Sequence, residues 1–286
     1  MKPFFERQFL SPLRRTWASL YPTCSALITP GAVVLESTSQ RRPVLRLRSG
    51  SSSSVESQFE AAVSDLVLLM DEAGTLGRPV NLIVSDFWSR PMVLPLSGQK
   101  LNDQEIDAAL QGAYRRTYGD LMAGWVWCWS QQESRVFAVA WPEVGLTALK
   151  EGIAQRRGVL GSARPFAVDL SDGVPSVTSE RWLALVDNQS VSLIRQHGLD
   201  WQYWCVVPYS GQNQLGFLTQ LEREVACRND PCREVMVVDL IGVVSMPLVR
   251  EAMLKDGWSM RVWTPVLADA GVGYRLMRAI TLGSMS

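Results

Sequence analysis

The chain has 286 residues, with 28 basic and 28 acidic side chains that cancel and a single histidine. Charge neutrality excludes the global field that recruits nucleic acid or anionic lipid, and 47% hydrophobic residues indicate an ordinary globular protein long enough for two domains or one duplicated domain. The five cysteines (Cys24, Cys128, Cys205, Cys227 and Cys232) form no CxxC pair and are odd in number, which argues against a zinc ribbon or a disulfide framework and for thiols in a reducing compartment.

The chain opens on an arm, Lys2–Arg15, that mixes Phe4, Phe5, Phe9 and Leu13 with Lys2, Arg7, Arg14 and Arg15. Glu6, Arg7, Arg14 and Arg15 interrupt any apolar core, so the arm is no signal peptide. Packing against the domain is favoured over resting on a membrane surface. Strands follow at Ser25–Ile28, Ala32–Glu36 and Pro43–Arg48, with Pro30-Gly31 turning the first pair. A helix over Gln58–Glu72 gathers Phe59, Ala62, Val63, Leu66, Val67 and Met70 on one face, and Val80–Val84 reads as a buried parallel strand.

Residues 86–142 read as a separate module: a strand at Pro91–Leu96, a helix capped by Asn102 with Glu105 three residues on, and a hairpin of Trp125–Trp129 and Arg135–Trp141. A helix near Glu143–Arg157 and a strand at Pro165–Asp169 complete the first half, and Asp172–Ser179 is the connector. The second half repeats the order. Its strands are Trp182–Asp187, Ser190–His197 and Gln202–Pro208, then a helix from about Asn213 to Cys227 and a strand at Glu234–Leu240. A helix capped by Ser245 with Pro247 in its first turn ends at Gly257, and a strand at Trp258–Pro265 follows. Tyr274, Leu276, Met277 and Ile280 suggest a last helix. The longest apolar run, Val235–Met246, is broken by Asp239 and is shorter than the roughly 18 residues a spanning helix needs. The expectation is a soluble, cytoplasmic protein with no membrane span of its own.

The strand pair at Ser25–Glu36 is echoed about 158 residues later by Leu183–Ile194. Repetition on this scale predicts two similar α/β halves facing each other across a cleft: residues 1–85 with 143–178, and residues 179–286, with 86–142 inserted in the first. Two βββαβα units with such an insert resemble the actin-like (ribonuclease H-like) ATPase superfamily. The strand–helix–hairpin insert, the phrase Ile83-Val84-Ser85-Asp86-Phe87-Trp88-Ser89-Arg90-Pro91-Met92-Val93-Leu94-Pro95 and the phrase Tyr114-Arg115-Arg116-Thr117-Tyr118-Gly119 resemble its pilus and secretion branch. The likeness is to PilM-type type IV pilus assembly proteins and to the cytoplasmic part of the type II secretion L protein.

The resemblance implies ATP held by two strand–turn–strand loops, each with an Asp and a Gly, and by a glycine turn for the adenosine. Here Gly31 is present, but Thr29 stands where Asp is expected and Pro30 removes an N–H. Asp187 is present, but Gln189 replaces the glycine that lets backbone approach phosphate. In the adenosine turn Gly242 remains, with Val243 and Val244 adding bulk. Gly31, Asp187 and Gly242 are thus vestiges, no cofactor is expected, and a working ATP-binding switch is the alternative. The resemblance also implies a partner, the cytoplasmic tail of an inner-membrane pilus or secretion protein, with an assembly ATPase as a second. The tail's groove would be formed by Phe87, Trp88, Val93, Trp125, Trp127 and Trp129, and the protein would sit peripherally at the inner membrane through that partner.

The three hairpin tryptophans share one strand face. They read either as an aromatic layer over the module's helix or as an apolar shelf that docks a peptide. Base stacking is a third reading that neutral charge weakens. Trp88, Trp182, Trp201, Trp204, Trp258 and Trp263 are expected in cores. His197, at a strand end beside Gly198, reads as a surface residue, and no nucleophile motif accompanies it. Asp187 and Asp239 fall at or near strand ends, as metal-binding carboxylates do in nucleases of related fold, but no third carboxylate completes such a site. No catalytic residue and no metal ligand set is expected.

Overall fold

The computed structural model of the chain describes residues 23–37, 43–48, 54–75, 77–96, 101–132, 134–171, 179–187, 189–198, 200–209, 216–240, 246–263 and 276–277. The arm Lys2–Arg15, the adenosine turn around Gly242, the cap Ser245 and most of the connector and tail lie outside these residues. Two compact units divide between Pro165 and Phe166.

The first unit is built on β1 (Cys24–Ile28), β2 (Ala32–Ser37), β3 (Val44–Leu47), β4 (Pro79–Val84) and β8 (Val159–Pro165), ordered β3-β2-β1-β4-β8. The first three strands are antiparallel neighbours, and β4 and β8 join in parallel. Ala26, Leu27, Ile28, Val33, Val34, Leu82 and Val84 are all fully buried, so β1, β2 and β4 are covered on both faces, which explains their unbroken apolar runs. The helices α1 (Val55–Glu72) and α3 (Glu143–Gln155) pack together. Ser54 caps α1 by accepting the Ser57 N–H. The approach of α1 and α3 is close because glycines face it: a Cβ on Gly145 would lie 2.2 Å from the Phe59 ring, and one on Gly152 2.6 Å from Val67.

The second unit repeats the plan with β9 (Glu180–Val186), β10 (Ser190–His197), β11 (Asp200–Pro208), β12 (Glu234–Asp239) and β13 (Ser259–Val262), ordered β11-β10-β9-β12-β13. Strand directions match the first sheet one for one. So does register: Ala26 pairs with Leu35, and about 158 residues later Ala184 pairs with Leu193. Helices α5 (Gly216–Arg228) and α6 (Met246–Lys255) cover one face, where Phe217, Leu221, Val249 and Met253 meet Trp182, Ala184, Val191 and Leu193. Gly257, at φ +74, ends α6 as its sequence position suggests.

One expected element is corrected. Residues 165–169 are not a strand: β8 already ends at Pro165, and a short helix, α4 (Phe166–Ser171), follows. Phe166 and Val168 alternate like a strand, but Ala167 and Leu170 are buried too, which is helical spacing. The true strand was masked by Gly161 and Ser162, which break its apolar pattern.

The insert follows β4. A 3-10 turn at Asp86–Trp88 leads into β5 (Arg90–Pro95). Then come α2 (Asp103–Tyr118), β6 (Trp125–Gln132) and β7 (Arg135–Pro142), forming a three-stranded antiparallel sheet ordered β5-β7-β6. Asn102 and Glu105 make the expected capping box, each side chain taking the other's backbone N–H at 3.0 and 2.8 Å.

Candidate functional site

Two places carry the expected chemistry: the strand–turn–strand loops and the insert. The loops after β1 and β9 are built alike. The Thr29 N–H donates to the Ala32 carbonyl at 2.8 Å and the Asp187 N–H to the Ser190 carbonyl at 2.9 Å. Ser85 donates to the Ile28 carbonyl where Leu240 donates to that of Val186, and the Gly31 and Gln189 carbonyls accept from Arg48 and Tyr209.

In the first loop the Thr29 hydroxyl is turned inward. It donates to the Ala32 carbonyl (3.0 Å) and accepts the Ala32 N–H (2.9 Å). The N–H groups of Thr29 and Ala32 are therefore spent inside the loop, and Pro30 has none. Arg48 braces the outside: its guanidinium donates to the Pro30 carbonyl (3.4 Å) and is ion-paired with Asp65 on α1 (2.9 Å). A phosphate-binding turn needs backbone donors pointing outward, and in the first loop those of Thr29 and Ala32 are directed within the turn. Gly31 itself is exposed, with open space where a Cβ would stand. In the second loop Asp187 and Gln189 are half-buried. Nearby, the Tyr209 hydroxyl is buried with no partner among the described residues, and its pKa is raised by burial and by Asp239. Gly242 lies outside the described residues. No trio of His, Cys, Asp or Glu converges on a metal-sized site among the described residues. His197 is exposed at the end of β10.

The insert divides the six groove residues between two faces of its sheet and the turn before it. Trp125, Trp127 and Trp129 pair with Pro142, Ala140 and Ala138, and this face is the one α2 covers with Ile106, Leu110 and Tyr114. Trp125 is buried, with the Arg90 guanidinium 5.0 Å from its ring centre. Trp127 stacks on Tyr114 at 5.6 Å, and Trp129 Nε1 donates to Asp107 at 2.8 Å. Desolvation pushes the Tyr114 hydroxyl's pKa well up, and that hydroxyl donates to the Arg90 carbonyl at 2.9 Å. The tryptophans thus form the aromatic layer over the helix, with Trp127 and Trp129 half-buried at its margin.

Val93 faces the other way. It pairs with Phe137, which pairs with Ser130, so the face opposite α2 is lined by Val93, Phe137, Val126, Val139 and Trp141. Its centre is closed, because Phe137, Val139 and Trp141 are all buried; Val93 and Val126 at the margins keep some exposure. Phe87 is half-exposed and meets Trp88 edge-on at 6.2 Å. Trp88 is fully buried against Phe59 at 5.2 Å and offers no surface to a partner. Phe87, on the turn before β5, and Val93, on the opposite face of the sheet from the tryptophans, each keep partial exposure away from the tryptophan layer. Sequence reasoning missed the inward Thr29 hydroxyl and the Arg48 brace. The available signal was a Thr directly before a Pro-Gly turn, where hydroxyls bond to nearby backbone.

No protein-family model and no curated protein matches the chain. Solved structures do. A chain of the PilM–PilN type IV pilus biogenesis complex superposes with a TM-score of 0.61 at 14% identity, over 93% of this chain and 99% of that one. A Bacteroides thetaiotaomicron protein with an actin-like ATPase fold and unknown function gives 0.59 at 10% identity, over 93% and 97%. The cytoplasmic domain of EpsL, an inner-membrane component of the type II secretion system of Vibrio cholerae, gives 0.52 at 10% identity, over 92% and 95%. The protein is an α/β protein with the actin-like ATPase fold.

Proposed function

We propose that the chain is a non-catalytic actin-like scaffold at the cytoplasmic face of the bacterial inner membrane. It holds the cytoplasmic tail of a membrane component of a type IV pilus or type II secretion-like machine. The observation that carries this reading is the first loop, where the Thr29 hydroxyl takes up the Ala32 N–H that a phosphate could use and Pro30 offers none. The similarity in fold to a PilM–PilN complex chain and to the EpsL domain supports the class of machine. No helix among the described residues is long and apolar enough to cross a membrane, which is consistent with attachment through a partner. The tail lies along the Phe87 and Val93 rim, while the tryptophan layer holds the insert rigid behind it.

The test is a titration of fluorescent peptides, taken from the tails of membrane proteins encoded beside this chain, against the wild-type protein and Val93→Asp. Binding by the wild type that Val93→Asp abolishes, with the melting temperature unchanged, is the expected result. No binding by any such tail overturns the reading. The alternative, an ATP-binding switch, is favoured by the open space over Gly31 and by Asp187 at the second loop. A ligand at 100 times its Kd adds about 2.7 kcal/mol of stability. A rise of several degrees in melting temperature with millimolar Mg-ATP therefore supports the switch, and no shift supports the scaffold.

A further inference from the structure

We propose that the outer edge of β6 is a self-association surface: two copies of the chain pair their β6 strands antiparallel about a two-fold axis, joining two three-stranded insert sheets into one. Sheet edges invite strand addition unless something blocks them, and charge, proline, bulges and short length are the usual blocks. Every other edge strand carries at least one. β3 has four residues and includes Arg46, and β13 has four and includes Arg261. β5 contains Arg90, Pro91 and Pro95. β8 holds Gly161, Arg164 and Pro165 and shifts register against β4. β11 begins with Asp200, ends with Pro208 and bulges at Gln202, where Arg195 and Gln196 of β10 pair with Tyr203 and Trp201. β6, by contrast, runs eight residues, Trp-Val-Trp-Cys-Trp-Ser-Gln-Gln, with no charge, proline or glycine, and its register against β7 is unbroken throughout. Its outer side pairs with no other strand among the described residues.

The occupant is argued from charge. Helix α2 runs antiparallel to β6 on the same face, since Asp107 meets Trp129 and Tyr114 meets Trp127. Its first turns carry Asp103, Glu105 and Asp107, and its last turn carries Arg115 and Arg116. A two-fold axis perpendicular to the sheet sets the two copies of α2 side by side and antiparallel. The acidic end of each then lies by the basic end of the other, and the helix dipoles oppose favourably. Antiparallel pairing over the whole strand supplies on the order of eight backbone hydrogen bonds. Because the same patch serves both copies, the contact closes on itself as a dimer.

The test is sedimentation velocity on the full chain across the micromolar range. Gln131→Lys, on an exposed residue of β6, and Ser130→Lys each put a charge into the paired edge, against an uncharged residue of the other copy. Each is expected to weaken dimerisation roughly tenfold or more while circular dichroism and melting stay as in the wild type. Asp103→Lys is expected to weaken the dimer at low salt, and adding Arg115→Glu to restore it. A wild-type chain that remains monomeric throughout overturns the proposal, as does a dimer indifferent to both lysine variants. A dimer weakened by the lysines but untouched by the charge reversals overturns the two-fold antiparallel arrangement. Loss of the dimer with tail binding intact, or the reverse, separates this surface from the Phe87–Val93 rim.

Discussion

Gly145→Ala tests whether the rim depends on the core behind it. Gly145 lies on the face of α3 that meets α1, and an added Cβ would stand 2.2, 2.6 and 2.9 Å from three atoms of the Phe59 ring. Real Cβ atoms do not approach so closely, so Phe59 must move. It has little room, because it is fully buried and its ring sits 5.2 Å from that of Trp88, which is also fully buried. Overpacking of this kind costs about 1–3 kcal/mol. Replacing a helical glycine by alanine returns up to about 1 kcal/mol of helix propensity. The net expectation is a loss of about 1–2 kcal/mol. In a unit of this size that lowers the melting temperature by roughly 2–8 °C. Because Trp88 carries Phe87 on its edge, tail binding at the rim should weaken in parallel. Scanning calorimetry and the peptide titration read the two effects. Phe59→Leu in the Gly145→Ala background should recover part of the loss, a coupling expected only for residues in contact. A Gly145→Ala protein as stable as wild type refutes the close approach of α1 and α3.

Thr29→Val keeps the shape of the loop but leaves the Ala32 N–H only its longer bond to the Thr29 carbonyl (3.4 Å), at a cost of about 1 kcal/mol in urea denaturation and with no gain in nucleotide binding. Asn102→Ala should destabilise α2 by about 1 kcal/mol, read as faster amide exchange in its first turn. For Asp230, burial favours the protonated form, but hydrogen bonds from Arg195 and the Cys232 N–H hold the pKa below the usual range. A folded-state pKa below the unfolded value near 3.9 means stability that is present above about pH 4 and lost as pH falls through the folded value. Asp230→Asn should flatten the pH dependence of unfolding there. Thiol titration at pH 8 should modify exposed Cys227 first. Cys205, whose pKa burial pushes up to about 12, and buried Cys24 and Cys128 should react only on unfolding.

The repeat was legible because it is written in apolar runs, and burial on both faces of β1 and β9 forces those runs. Asn102 and Glu105 announced a helix start through local chemistry alone. Two things were not legible. The direction in which a margin residue faces depends on register against β7: Val93 and the tryptophans belong to one three-stranded sheet, yet they point to opposite sides of it. The fate of Trp88 depends on Phe59 and Gly145, which come from distant helices and could not be paired with it from one sequence.

The two loops share a backbone ladder but differ in what fixes them. A phosphate would organise outward N–H groups that are costly to leave unpaired once buried. Thr29 relieves that need in the first loop with a hydroxyl that serves as donor and acceptor at once, and Arg48 ties the turn to α1 through Asp65. Everything that fixes this loop therefore comes from the chain itself. The second loop shares the backbone ladder but keeps Asp187 and a buried Tyr209 hydroxyl with no partner among the described residues. If one loop still responds to a small ligand it is the second, and Thr29→Asp alone should not create nucleotide binding, because Pro30 still lacks the donor.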